Sequence, residues 1–180
     1  FAYLDGEMIQ QKEEDVVARA DLVIVTSRYL FDEKKTMNPR TLLVRHGVSR
    51  IFFVDRAQTS FCDPALEGLG RPVLGFYGWI RDTVDQDLLE QVARAFPQAT
   101  VLLIGKVSVD VDRLRTYPNI MFLGQKPYHL LPAYAAQFDV GLIPYRMNPE
   151  LMEATNPVKL KEYLALGLPV VSTDLAEVRE

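Results

Sequence analysis

The sequence carries a single cysteine, Cys62, and only two histidines, His46 and His129. One cysteine excludes an internal disulfide and any cysteine-based zinc site. Two histidines without a carboxylate pattern around them make no metal site. Hydrophobic runs are short, and none reaches the roughly 18–20 apolar residues of a membrane span. Positive charge is not in surplus: 24 Asp and Glu outnumber 20 Lys and Arg, a formal net charge of −4. That balance speaks against nonspecific nucleic-acid binding, which needs a basic footprint. Two phosphate-binding signatures are also missing. There is no GxGxxG, which disfavours a dinucleotide dehydrogenase, and no GxxxxGK[ST], which disfavours a P-loop NTPase.

What remains is ordinary globular composition, 48% hydrophobic and 24% charged, over 180 residues. The chain opens on Phe1 with no signal-peptide pattern and closes on Asp174-Leu175-Ala176-Glu177, where a helix would begin. These ends read as an internal segment of a longer protein.

Apolar periodicity alternates between strand and helix. Strand-like runs fall at Leu22–Thr26, Thr41–Arg45, Pro72–Tyr77, Thr100–Ile104, Ile120–Leu123, Val140–Ile143 and Pro169–Ser172. Most are apolar on both faces, as buried parallel strands are. Helical segments lie between them: Glu7–Ala20, a helix capped by Ser27, Asp87–Phe96, Pro127 to about Gln137, and Pro157–Leu166. Pro132 is expected to kink or split the fourth of these. Gly167 and Pro169 stop the last. The pattern predicts an α/β fold, a Rossmann-like doubly wound parallel sheet. A mixed Gly, Pro and charged stretch between Phe53 and Arg71 reads as a linker, dividing residues 1–55 from residues 56–180.

Open parallel sheets bind ligands at the carboxyl ends of their strands. Three strand-like runs end in glycine followed by basic residues: Gly78 with Arg81, Gly105 with Lys106, and Gly124 with Lys126. A fourth runs into Pro144-Tyr145-Arg146. Glycine permits close approach of a ligand to the backbone, and the basic residues suit a negatively charged one. The most informative segment starts at Asn156-Pro157-Val158-Lys159. Val158 and Lys159 occupy the first helical turn, whose N–H groups and dipole favour an anion. Lys159 and Glu162 share a helix face. A phosphate at the helix start and sugar hydroxyls on Glu162 would together hold a nucleoside diphosphate. On spacing alone, a solvated Lys159–Glu162 ion pair of little energetic value is an equally open reading.

The segments GFYGWIRD, LLIGKV, NIMFLGQKPYHLLPAYAAQFDVGLIPY and NPVKLKEYLALGLPVVST, in that order, resemble the C-terminal nucleotide-sugar-binding domain of GT-B glycosyltransferases. The likeness is strongest to the family 4-like group that includes teichuronic-acid and exopolysaccharide transferases. ARADLVIVTSRYLFDEK and LLVRHGVSRIFF resemble the end of the N-terminal acceptor domain and the hinge. The resemblance implies that residues 1–55 finish the acceptor-side domain, and that residues 56–180 form a donor-binding half of a two-domain protein, incomplete at its C-terminus. It implies substrate contacts by Gly78, Arg81, Gly124, Lys126, Tyr145, Asn156, Val158, Lys159 and Glu162. Glu162 matches the second Glu of an E-x7-E motif that binds ribose; Val158 and Lys159 meet the diphosphate; Gly124 to Lys126 meet the base.

Departures from the family pattern are specific. Ala154 stands where the first Glu of E-x7-E belongs, with Glu153 one place out of register. The Gly-Arg of the phosphate loop is Gly78-Trp79, with Arg81 displaced and Asp82, Asp85 and Asp87 in place of a partner Lys. Lys159 is expected to supply the charge that the Arg/Lys pair lacks. Trp79 is read either as a stacking surface or as core, and Asp139 as a turn residue.

The implied activity is transfer of a sugar from a nucleotide-diphosphate sugar, as co-substrate, to a hydroxyl of a saccharide or lipid-linked acceptor in cell-envelope or exopolysaccharide synthesis. Retention of anomeric configuration and independence of a metal or other cofactor are implied with it. The catalytic base is expected outside this chain, and no nucleic-acid partner is expected. The implied location is the cytoplasm, including the inner face of the membrane if regions outside this chain make peripheral contact. The alternatives are a non-catalytic nucleotide-sugar-binding module, favoured by Ala154 and Trp79, and a GT-B-type nucleotide-sugar epimerase.

Overall fold

The computed structural model describes residues 6–53, 63–146 and 153–179. Cys62 and most of the sequence-defined linker lie outside the described residues. The chain divides into two compact units, one of Phe1–His46, Asn148–Asn156 and Leu175–Glu180, the other of Gly47–Met147 and Pro157–Asp174.

The first unit begins α1 (Gly6–Arg19), β1 (Val23–Val25), α2 (Arg28–Met37) and β2 (Thr41–Leu43). β1 and β2 pair in parallel, Ile24 opposite Leu42. Ser27 caps α2 as its position predicts, its Oγ accepting from Leu30 N at 3.3 Å. Lys34 is buried, and its ammonium lies 2.8 Å from Glu13 and 2.9 Å from Glu33. Desolvation pulls the Lys34 pKa down, but the two carboxylates outweigh it and the net shift is upward. The Ala176–Arg179 helix returns to this unit, where Glu177 accepts from Arg28 N and from Arg45 Nε.

The second unit holds β3 (Val73–Tyr77), α3 (Gln86–Ala95), β4 (Thr100–Ile104), α4 (Asp112–Arg115), β5 (Ile120–Gly124), α5 (Leu131–Ala135), β6 (Val140–Ile143), α6 (Val158–Ala165) and β7 (Val170–Ser172). The strands form one parallel sheet in the order β5-β4-β3-β6-β7, with Leu74 opposite Val101 and Phe76 opposite Leu103. β3 lies at the centre and the order reverses around it, so the sheet is doubly wound. Alternate residues of a strand face opposite ways. Leu74, Phe76, Val101 and Leu103 therefore join Leu89, Ala93 and Leu114 in a mainly aliphatic core. Tyr77 instead meets Phe52, Phe138 and Tyr163 in an aromatic one. Full burial of each of the aromatics contributes roughly 1.5–3 kcal/mol. Gly75 and Gly141 make room for that layer: a Cβ on either would meet the ring of Phe138 or Tyr163, respectively, at under 3 Å.

The helical segment starting at Pro127 is split, one of the two outcomes expected of Pro132: a 3-10 turn, Tyr128–Leu130, is followed by α5. Pro132 lies in the first turn of α5, where its missing N–H is not needed, so the chain starts a new helix rather than bending the old one. α4 was not expected; its four residues are too few to show a period. Among the described residues no helix is long and apolar enough to cross a membrane.

Candidate functional site

The carboxyl ends of β3, β4 and β5 are tied by backbone hydrogen bonds that continue past the strands. Gly78 N donates to Ile104 O at 2.8 Å, Gly105 N to Gly124 O at 2.9 Å, and Ile80 N to Lys106 O at 2.8 Å. Gly78 and Gly105 have φ of 145° and 149°, which L side chains rarely adopt. The crowding explains why: a Cβ on Gly105 would sit 1.8 Å from Gly78 O. Gly124, at φ 68°, turns the chain out of β5. These glycine turns open onto a cleft of about 440 Å³ whose lining includes Gly78, Trp79, Lys106, Gln125, Lys126 and Tyr128.

Lys159, in the first turn of α6, reaches Gly78. A Cβ there would lie 2.6 Å from Lys159 Cε and 3.0 Å from Nζ. The ammonium donates to Tyr145 Oη at 2.7 Å and lies 5.3 Å from the centre of each of the Phe76 and Tyr145 rings. Val158 opens α6 after Pro157, so the leading N–H groups of Val158 and Lys159 have no acceptor within the helix. One turn on, Glu162 is only 3% exposed. Its Oε2 accepts from Tyr77 Oη at 2.7 Å, and its Oε1 from Tyr128 Oη at 2.9 Å. The two phenols replace the solvated Lys159–Glu162 ion pair that spacing left open. Burial, and then the Glu162 hydrogen bond, push the Tyr128 phenol up to about 12. Burial also raises Tyr77 and Tyr163.

The remaining residues singled out in the sequence separate into groups. Lys126 lines the cleft, with its ammonium 3.4 Å from Asp63 and 4.9 Å from the centre of the Tyr134 ring. The Tyr134 hydrogen bond leads the causes that raise Lys126 and lower Asp63. Arg81 turns to Thr83 and to the Trp79 ring, 5.1 Å from its centre. Trp79 is half exposed, its indole N–H fixed on Ser108 Oγ at 2.8 Å, so it is a surface of the cleft and not core. Asn156 belongs to the first unit, where its amide donates to Thr26 O and Glu177. His129 is exposed, and Asp139 holds the turn before β6 by accepting from Val73 N. Among the described residues no three His, Cys, Asp or Glu side chains gather as metal ligands.

Sequence reasoning did not single out Tyr77 and Tyr128. Tyr77 ends β3 next to Gly78, a place that marks a strand-end ligand site. Tyr128 follows Pro127 and carries no signal of its partner.

The glycosyl transferases group 1 family model matches residues 71–180. The chain belongs to that family. It is also 32% identical over 177 residues to TuaH of Bacillus subtilis (strain 168), provisionally named a teichuronic acid biosynthesis glycosyltransferase, covering 94% of this chain and 44% of that protein. The fold is that of GT-B glycosyltransferases. Anabaena HepE in complex with UDP and glucose superposes with a TM-score of 0.75 at 18% identity, over 97% of this chain and 50% of HepE. Sucrose-phosphate synthase from Thermosynechococcus elongatus gives 0.72 at 21% identity, over 99% and 46%. The chain thus spans about half the length of these glycosyltransferase relatives.

Proposed function

We propose that the protein transfers a sugar from a nucleoside-diphosphate sugar to a hydroxyl acceptor, with the second unit holding the donor. The observation that carries this reading is the meeting of Gly78, Lys159 and the start of α6 beside a cleft lined by Tyr128, whose hydroxyl covers Glu162. A diphosphate there would face the N–H groups of Val158 and Lys159, the ammonium of Lys159, and a glycine that lets it approach the backbone. As the glycosidic bond breaks, negative charge grows on the departing diphosphate, and donors already aimed at it stabilise that charge most. Ribose hydroxyls would donate to Glu162, and the base would lie along Gly124 to Lys126, with Tyr145 at the border. Residues up to about 55 are assigned to the end of the acceptor-side domain and the hinge, the stretch from Gly47 being the hinge part that belongs to the second compact unit. Retention of configuration, independence of a divalent ion and of other cofactors, and a saccharide or lipid-linked acceptor in cell-envelope synthesis complete the proposal; the teichuronic acid role named for TuaH supports its last part.

The test is a calorimetric panel of UDP, GDP, ADP and TDP on the intact protein, with Glu162→Ala as control. Binding of one nucleotide, weakened at least tenfold by the substitution, is expected; indifference to all four overturns the reading. Release of free nucleoside diphosphate from the matching sugar donor, in step with formation of a glycoside, distinguishes transfer from binding alone and from epimerisation.

A further inference from the structure

The two hydrogen bonds to Glu162 come from unequal donors. Tyr77 is 3% exposed and sits at the end of the central strand, wedged against Phe52, Phe138 and Tyr163. Its hydroxyl is fixed. Tyr128 is 52% exposed, lies on a single 3-10 turn, lines the cleft, and meets the edge of Phe52 at 5.7 Å between ring centres. Glu162 itself is 3% exposed, so a ligand in the cleft has almost no access to the carboxylate while this arrangement holds. The group between them is the hydroxyl of Tyr128.

We propose that Tyr128 is a releasable stand-in for a ribose hydroxyl: it satisfies Glu162 Oε1 in the free protein and swings away when a nucleoside diphosphate supplies its own donor. This rests on the nucleotide reading above and adds a specificity-determining residue to it. A buried carboxylate left without a donor is costly, so the free protein needs a substitute for the ligand. A phenol on a short turn can fill that role and then give it up, because rotation about its side-chain bonds returns the hydroxyl to water. Exchange of one O–H donor for another makes binding selective. A ligand with vicinal hydroxyls replaces Tyr128 at little cost; one without them leaves Tyr128 in place and gains nothing from Glu162.

The two-ligand comparison measures this in the intact protein. Affinities for UDP and 2′,3′-dideoxy-UDP are determined by calorimetry for the unaltered protein and for Tyr128→Phe. Removing the competing hydroxyl should tighten UDP roughly twofold, about 0.5 kcal/mol, while dideoxy-UDP stays unchanged. A UDP-to-dideoxy preference that is unaltered or smaller in Tyr128→Phe overturns the proposal, since a residue that merely orients Glu162 would lower it. A second measurement keeps the hydroxyl in place: 3-fluorotyrosine incorporated at position 128 should change its fluorine resonance with UDP and not with dideoxy-UDP. An equal response to both ligands contradicts displacement. Failure of the unaltered protein to bind UDP or any of the other three nucleotides is a different result; it removes the nucleotide reading and this inference with it.

Discussion

The ammonium of Lys159 donates to the hydroxyl of Tyr145 at 2.7 Å while its Cε packs against Gly78. One lysine is thus held by a residue after β6 and a residue after β3, at the point where α6 begins. Lys161, two positions on, is placed differently by the helical turn. Lys159→Ala should weaken nucleoside diphosphate binding by on the order of tenfold or more, the worth of a charge-assisted hydrogen bond. Lys161→Ala should change it less than twofold. Calorimetric titration of both variants decides, and equal losses would remove Lys159 from the phosphate site.

Gly105 faces Gly78 so closely that no side chain fits. Gly105→Ala combines a Cβ contact of 1.8 Å with backbone carbonyl and a φ of 149°. The expected loss is about 3 kcal/mol or more, because the clash is with main chain that cannot rotate away. Gly124→Ala meets nothing within 4 Å, so strain from its φ of 68° is its main penalty and the loss should be about 1 kcal/mol. Urea denaturation of the two variants tests the difference.

Tyr77→Phe and Tyr128→Phe each remove one donor from Glu162, but their costs should differ. Without Tyr77, a buried oxygen loses its partner and the expected destabilisation is about 1–3 kcal/mol. Without Tyr128, the half-exposed position admits water, and the loss should be about 0.5 kcal/mol. Similar midpoints for the two variants would contradict the contrast between a fixed and a releasable donor.

Alkaline pH should destabilise the protein through its buried phenols. Tyr128 is raised to about 12 by burial and its Glu162 hydrogen bond, and burial raises Tyr77 and Tyr163 further. An unfolded phenol titrates near 10, so above that pH the unfolded chain binds fewer protons than the folded one and stability falls as pH rises. The contribution is complete below pH about 10 and is lost as pH climbs through the folded value. Thermal melting from pH 8 to pH 11 should show the decline beginning near 10, and Tyr77→Phe should lessen it.

The strands and most helices were legible because their signals are local. β4 and β6 match their apolar runs, Thr100–Ile104 and Val140–Ile143, and Ser27 caps α2 where a cap was expected. The glycine turns were legible as strand ends. Other features depend on contacts distant in sequence. The carboxylate of Glu162 meets Tyr77 and Tyr128 across 85 and 34 residues, and no periodicity announces either pairing. Ion pairing of Lys159 with Glu162 was a fair reading of i,i+3 spacing, but burial of the one side chain and the reach of the other toward Gly78 separate them. Discontinuity of the two compact units is likewise invisible to a linear reading, because residues 148–156 and 175–180 return to a unit formed mainly by residues 1–46.

The most direct measurement is a crystal structure of the intact protein with the nucleoside diphosphate it binds. The account predicts diphosphate oxygens within hydrogen-bond distance of the Val158 and Lys159 N–H groups and of the Lys159 ammonium, with ribose hydroxyls on Glu162. A nucleotide bound elsewhere, with Lys159 still on Tyr145 and Glu162 still covered by both phenols, would contradict it.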